Sequence, residues 1–107
     1  MSSPAVSIVV PIYNEFDNLT ALVDRIDAAM RAQPLSYELI AVDDGSKDDS
    51  AKLLLELAST RPWLRPVILA RNYGQSSALQ AGFDRVQGKY VVTLDADLQN
   101  EPDDIPL

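Results

Sequence analysis

Val91-Val92-Thr93-Leu94-Asp95-Ala96-Asp97-Leu98-Gln99 is an apolar run that stops at two carboxylates separated by one residue. The run predicts a buried strand. Residues i and i+2 of a strand share a side, so both carboxylates would face one way where the extended backbone continues. Two like charges at the end of a buried strand repel each other and lose hydration. A divalent cation removes both penalties, and hard oxygen donors suit Mg²⁺ or Mn²⁺, above all when substrate phosphates complete the shell. A single D-x-D also fits a strand running out into a solvated acidic loop. The ends of the other strands decide between the two.

Working back towards the amino terminus, the same unit recurs. Val6 to Ile12 (VSIVVPI) is a continuous run of the kind buried on both faces of a parallel sheet, and Pro11, which has no N–H for a ladder, predicts its end. Asn14 to Asn18 carries turn and cap chemistry, with Asp17 or Asn18 as the expected N-cap. Leu19, Leu22, Val23, Ile26 and Met30 then recur at helical spacing and predict a helix over about 18–32. Tyr37 to Val42 reads as a second strand. Ser46 and Asp49 flank the next helix start, and Leu53, Leu54, Leu57 and Ala58 supply its apolar face. Trp63 to Ala70 predicts a third, shorter strand. Ser77, Ala78, Ala81, Gly82 and Val86 lie along a third helix of small residues, with Gly88 as its terminating glycine. Strands alternating with helices at this spacing imply right-handed βαβ crossovers and a parallel sheet covered by helices on both faces.

Composition narrows the chemistry. The chain has 107 residues, 47% hydrophobic and 23% charged, enough for one small globular domain. A net charge of −7 argues against a nucleic-acid surface and suits cation-assisted binding of a phosphate ligand. Cysteine and histidine are both absent, so disulfides, thiolate or imidazole metal sites and Ser-His-Asp catalysis are excluded within this sequence. Any acid or base is a carboxylate, Tyr or Lys. No signal-peptide pattern and no run near ~20 apolar residues is present, and the expected location is the cytoplasm.

In an open α/β sheet, ligands bind outside the carboxyl ends of the strands, where strand order reverses. Each predicted strand ends there in unusual polar chemistry: Pro11-Ile12-Tyr13-Asn14-Glu15, Asp43-Asp44, Arg71-Asn72-Tyr73-Gly74 and Asp95-Ala96-Asp97. Singly, each fits a tight turn or a helix entry. The loops at the opposite edge carry no comparable cluster, and the four together favour a site.

The motifs VVPIYNE (9–15), VDDGSKDDS (42–50), ARNYGQSSALQAGF (70–83) and DADLQ (95–99) resemble inverting family 2 glycosyltransferases of the GT-A fold, with the pattern of the polyprenyl-phosphate sugar transferases. The resemblance runs from Val6 to about Pro102. It implies a three-layer α/β/α, Rossmann-like architecture, with parallel strands in the order 3-2-1-4, because the motif-bearing ends of strands one and four must adjoin. Pro11, Tyr13 and Glu15 would contact the base and ribose. Asp43, with Asp44, would accept hydrogen bonds from base or ribose. Asp95, Ala96 and Asp97 would lie against the nucleotide sugar, and Asp95, Asp97 and Gln99 would hold Mg²⁺ or Mn²⁺. Arg71 adds charge near the phosphates or makes a surface ion pair, and Tyr13 stacks on the base or covers the core. The donor would be a UDP- or GDP-linked sugar and the acceptor a lipid phosphate. No residue here matches the family's catalytic base. Asp103 and Asp104 stand too soon after the D-x-D for that role, so the base is expected beyond Leu107.

Residues 1–107 therefore read as the N-terminal, nucleotide-sugar-binding part of a glycosyltransferase domain, expected to be truncated and inactive alone, its parent working at the inner face of the cell membrane. A second reading is a stand-alone nucleotide-binding or assembly module without turnover. A dinucleotide-dependent oxidoreductase needs a glycine-rich turn after strand one, which Pro-Ile-Tyr-Asn-Glu does not provide. A phosphatase with a D-x-D nucleophile places that pair on the first strand. An open sheet with a bare edge favours pairing with a second copy, so a homo-oligomer is expected.

Overall fold

The computed structural model describes residues 3–94. Asp95, Ala96, Asp97 and Gln99 lie outside the described residues. So does Leu107, and with it the expectation of a catalytic base beyond that position. The elements run β1 (Val6–Ile12), α1 (Phe16–Arg31), β2 (Tyr37–Asp43), α2 (Ser50–Ala58), β3 (Leu64–Ile68), α3 (Gln75–Phe83) and β4 (Tyr90–Thr93). The four strands form one parallel sheet in the order β3-β2-β1-β4, as the resemblance implies. In register, Ile8 lies beside Leu39 on one side and Val92 on the other.

The period of two sorts each strand between two cores. Val6, Ile8, Val10 and Ile12 of β1 join Leu39 and Ala41 of β2 under α1 and α2, which contribute Leu19, Leu22, Val23, Ile26, Met30, Leu54 and Leu57. On the other face Val9, Ile40, Val42 and Val67 pack against Ala78 of α3. The sheet is thus the middle of three layers. Gly82 lets α3 lie close to it, since a Cβ there would run into the Val9 side chain.

The strand prolines sit where no ladder bond is lost. Val9 O accepts from Leu94 N and Ile12 O from Asp44 N, so odd residues of β1 face β4 and even ones face β2. The missing N–H of Pro11 therefore falls on the β4 side, beyond the last described ladder bond, and β1 continues to Ile12 rather than ending at the proline. Pro66, beside Ala41, turns its nitrogen to the open edge of β3.

Two boundaries, the start of α1 and the end of α3, differ from expectation. Helix α1 begins at Phe16 with Glu15 as N-cap and no side-chain cap, because Asp48 of the next loop accepts the Phe16 N–H instead of Asp17 or Asn18. Asp49 occupies the N-cap of α2 but makes no cap bond, and Asp48 accepts the Ser50 N–H in its place. Helix α3 stops at Phe83, leaving Val86 beyond it. Gly88 ends no helix; it packs on β1, where a Cβ would come within 2.7 Å of Ser7 N.

Candidate functional site

The carboxyl ends of β1, β2 and β3 are tied together by their own side chains. Asn14 stands at φ 52, a left-handed conformation that asparagine tolerates better than most residues. That turn aims Asn14 Oδ1 at the β2–α2 loop, where it accepts from Lys47 N at 2.8 Å, while Asn14 N donates to Ser46 Oγ at 2.9 Å. Ser46 in turn donates to Asp43, Oγ to Oδ1 at 2.5 Å and N to Oδ2 at 3.0 Å. Glu15 N donates to Ser50 Oγ, which donates to Asp48 Oδ1. The Ser50 hydroxyl is the first of several donors, with the Ser50 and Phe16 amides, that outweigh desolvation and hold the Asp48 carboxyl below its ordinary value.

A second tie joins β2 to β3. Asp44 is buried and accepts from Tyr73 N at 2.8 Å, Gly74 N at 3.0 Å and Asn72 Nδ2 at 3.1 Å. Gly45, at φ 68, lies so near this loop that a Cβ would overlap the Arg71–Asn72 backbone. The Asp-Asp-Gly-Ser sequence is thus a clamp with a loop on each side: Asp43 organises the β1 side through Ser46, and Asp44 the β3 side. Both carboxylates accept hydrogen bonds from the protein on each of their two oxygens. What they leave exposed is Tyr13, at 39%, and Tyr73, at 50%, with Arg71 stacked over the Tyr73 ring at 4.9 Å. Among the described residues Arg71 pairs with no carboxylate, so the expected surface ion pair is replaced by a cation–π contact. Tyr13 is not a core cover.

The structure brings Tyr13, Glu15, Asp43, Asp44 and Arg71 to one rim, with Pro11 just inside it. Among the described residues no group of three or more carboxylates gathers as a metal site. The donors expected to hold a cation, Asp95, Asp97 and Gln99, are oxygen ligands of the type Mg²⁺ and Mn²⁺ take, and they follow β4, the neighbour of β1.

Towards the opposite edge the strands themselves, rather than the loops, carry a polar cluster that none of the motifs includes. Ser7, Glu38 and Arg65, one from each of three adjacent strands, form a hydrogen-bonded row on the α3 face. Ser7 Oγ donates to Glu38 Oε2 at 2.5 Å, Arg65 Nη1 to Glu38 Oε1 at 2.5 Å, and Gln87 N to Glu38 Oε2 at 2.8 Å. Burial pushes the Glu38 carboxyl up, but the bonds from Ser7, Arg65 and Gln87 outweigh it and hold the group below its ordinary value. The signal in the sequence was a serine and a glutamate inside otherwise apolar strands.

The family described as glycosyl transferase family 2 matches residues 7–107. An undecaprenyl-phosphate 4-deoxy-4-formamido-L-arabinose transferase of Klebsiella pneumoniae subsp. pneumoniae is 51% identical over 102 residues, covering 94% of this chain and 31% of that relative. The protein of the same name from Pseudomonas fluorescens is 53% identical over 103 residues, covering 94% of this chain and 30% of its own length. The chain thus spans less than two thirds of either. Among solved structures, the mannosyltransferase PcManGT from Pyrobaculum calidifontis, in complex with GDP-Man and Mn²⁺, superposes with a TM-score of 0.75 at 28% identity, over 91% of this chain and 28% of that one. TarS 1-349 of S. aureus shares the fold, with a TM-score of 0.70 at 24% identity over 86% of this chain and 27% of that one. Among the described residues no helix is long and apolar enough to cross a membrane.

Proposed function

The chain belongs to glycosyl transferase family 2, and on that premise we propose that it is the donor-binding part of an inverting enzyme that takes a nucleoside-diphosphate sugar and passes the sugar to a polyprenyl phosphate. The observation that carries this reading is the clamp at the carboxyl edge, which ties together the loops after β1, β2 and β3. Strand order reverses at β1, and that is where open α/β sheets bind their ligands. The Mn²⁺ and GDP-Man of the mannosyltransferase, and the undecaprenyl phosphate in the names of the two transferases, support the choice of cation, donor and acceptor.

In this reading Tyr13 and Glu15 receive the base and ribose, and Tyr13 is exposed enough to stack. Asp43 and Asp44 act first by holding the loops. Hydroxyls of a bound ribose would compete with Ser46 for Asp43. Arg71, free of a described carboxylate, faces the diphosphate charge. Asp95 and Asp97, with Gln99, would hold Mg²⁺ or Mn²⁺, which when bound neutralises the departing diphosphate. Pro11 cannot donate towards β4, so the crevice is not closed by a further ladder bond from its amide.

Calorimetric titration with UDP and GDP, each with and without Mn²⁺, tests the reading. One nucleotide should bind more tightly with Mn²⁺, and Asp97→Ala should abolish the enhancement with an unchanged circular dichroism spectrum. Equal binding in chelator would refute it.

A further inference from the structure

We propose that Glu38 is a positioning residue that fixes the register of β4 against β1, and so sets where the strand hands over to Asp95 and Asp97; the second half rests on the reading of that pair as cation ligands. Burial fixes strand β4 only in part, through Val92 and Leu94 on its core face. The strand is four residues long, and its Tyr90 and Val91 are 54% and 45% exposed. A strand's register is normally set by which face is buried, since a slip of one residue turns every side chain over. In β4 a slip would exchange Val92 for the equally apolar Val91 or for Thr93 and would lift Leu94 from the core, so burial favours the observed register without being its only determinant. A slip would displace Leu94, the last described residue, by ~3.3 Å relative to Ile12 and Asp43.

The register is also read at the entry to the strand. Gln87 N donates to Glu38 Oε2 and, one residue on, Gly88 N donates to Ser7 Oγ, both at 2.8 Å. Ser7 Oγ donates to the same Glu38 oxygen, and Arg65 holds the other while also donating to Arg85 O at 2.9 Å. The seat of Gly88 admits no side chain, because a Cβ would meet Ser7 N at 2.7 Å and Ser7 Oγ at 2.7 Å. A slip in either direction brings Gln87 or Lys89 into that seat. The glycine makes the wrong registers sterically poor, and Glu38 makes the right one favourable. Only a carboxylate accepts from three donors on two oxygens. A carboxamide would turn an N–H towards one of them.

The test is amide hydrogen exchange on the chain carrying Glu38→Gln, with Ser7→Ala as a second variant that keeps the Arg65–Glu38 pair. Tyr90 N and Leu94 N, which donate to Ala5 O and Val9 O, report the β4 register, whereas Asp44 N and Leu69 N report the far end of the sheet. In either variant the first pair should exchange roughly tenfold faster or more, with the second pair within about threefold of the parent. Nucleoside-diphosphate binding without cation should stay within about twofold, while the Mn²⁺ enhancement falls by roughly tenfold, a split that general loosening would not produce. Unchanged protection of Tyr90 and Leu94, or loss at all four amides together, overturns the register role. Faster exchange at β4 with a full Mn²⁺ enhancement overturns the link to the acidic pair. A parent chain without any Mn²⁺ enhancement sinks the reading of that pair, and the exchange arm then decides the register role alone.

Discussion

Carboxylates in this chain differ in what they hold. Asp44 takes three N–H donors from the β3–α3 loop, and Asp43 takes two from Ser46, so both are loop organisers before any ligand arrives. Glu38 does the equivalent at the other end of the sheet. Because its folded-state pKa lies below the ordinary value of 4.5, its contribution to stability is fully present above that value and is lost as pH falls through the folded one. Arg65 is the charged group in contact with it. The stability gap between the parent chain and Glu38→Gln, measured by urea unfolding, should therefore be widest near neutrality and narrow below about pH 4.5. A gap that widens on acidification would contradict the assignment.

Among the elements, α3 is the one whose sequence is least explicit. Its nine residues bury Ala78 and Gly82, and it packs through closeness rather than bulk. Alanine at position 82 would gain roughly 1 kcal/mol of helix propensity. The added methyl meets Val9, a β-branched side chain in a core that cannot swing aside, and overpacking of this kind costs about 1–3 kcal/mol. The steric effect should win. Gly82→Ala is expected to lower the urea midpoint, and adding Val9→Ala should restore part of the loss, which a pure backbone effect would not allow. Since α3 starts at Gly74, whose amide Asp44 holds, displacement of the helix should also reach the Arg71–Tyr73 pair.

At the scale of the whole molecule, β3 and β4 are the outer strands of the sheet among the described residues. Ile68 at the end of β3 is 42% exposed, and Tyr90 and Val91 leave β4 apolar towards water. Open apolar edges favour pairing with another chain. Sedimentation velocity should show self-association of the isolated chain that deepens with concentration, and Val91→Lys should shift it towards monomer. A parent chain that stays monomeric at high concentration would show that the edge is protected.

The sequence by itself determined the alternation of elements, the strand order, both apolar faces of the sheet and the polar character of its carboxyl edge. The alternation, the apolar faces and the polar edge follow from short-range periodicity and from motifs read within one stretch, and the strand order from the family resemblance that those motifs carry. It also marked Tyr13, Glu15, Asp43, Asp44 and Arg71 as residues of one rim. Only the tertiary structure decided what each polar group bonds. Phe16 N finds Asp48 rather than a local cap, Asp44 serves a loop 29 residues away, and Arg71 lies over the Tyr73 ring. The sequence marks Ser7 and Glu38 as polar residues inside apolar strands, but not the row they form with Arg65 or the seat of Gly88, for the same reason. Their partners lie up to 81 residues apart in the chain, and a hydrogen bond is specified by position in space, which no local pattern encodes.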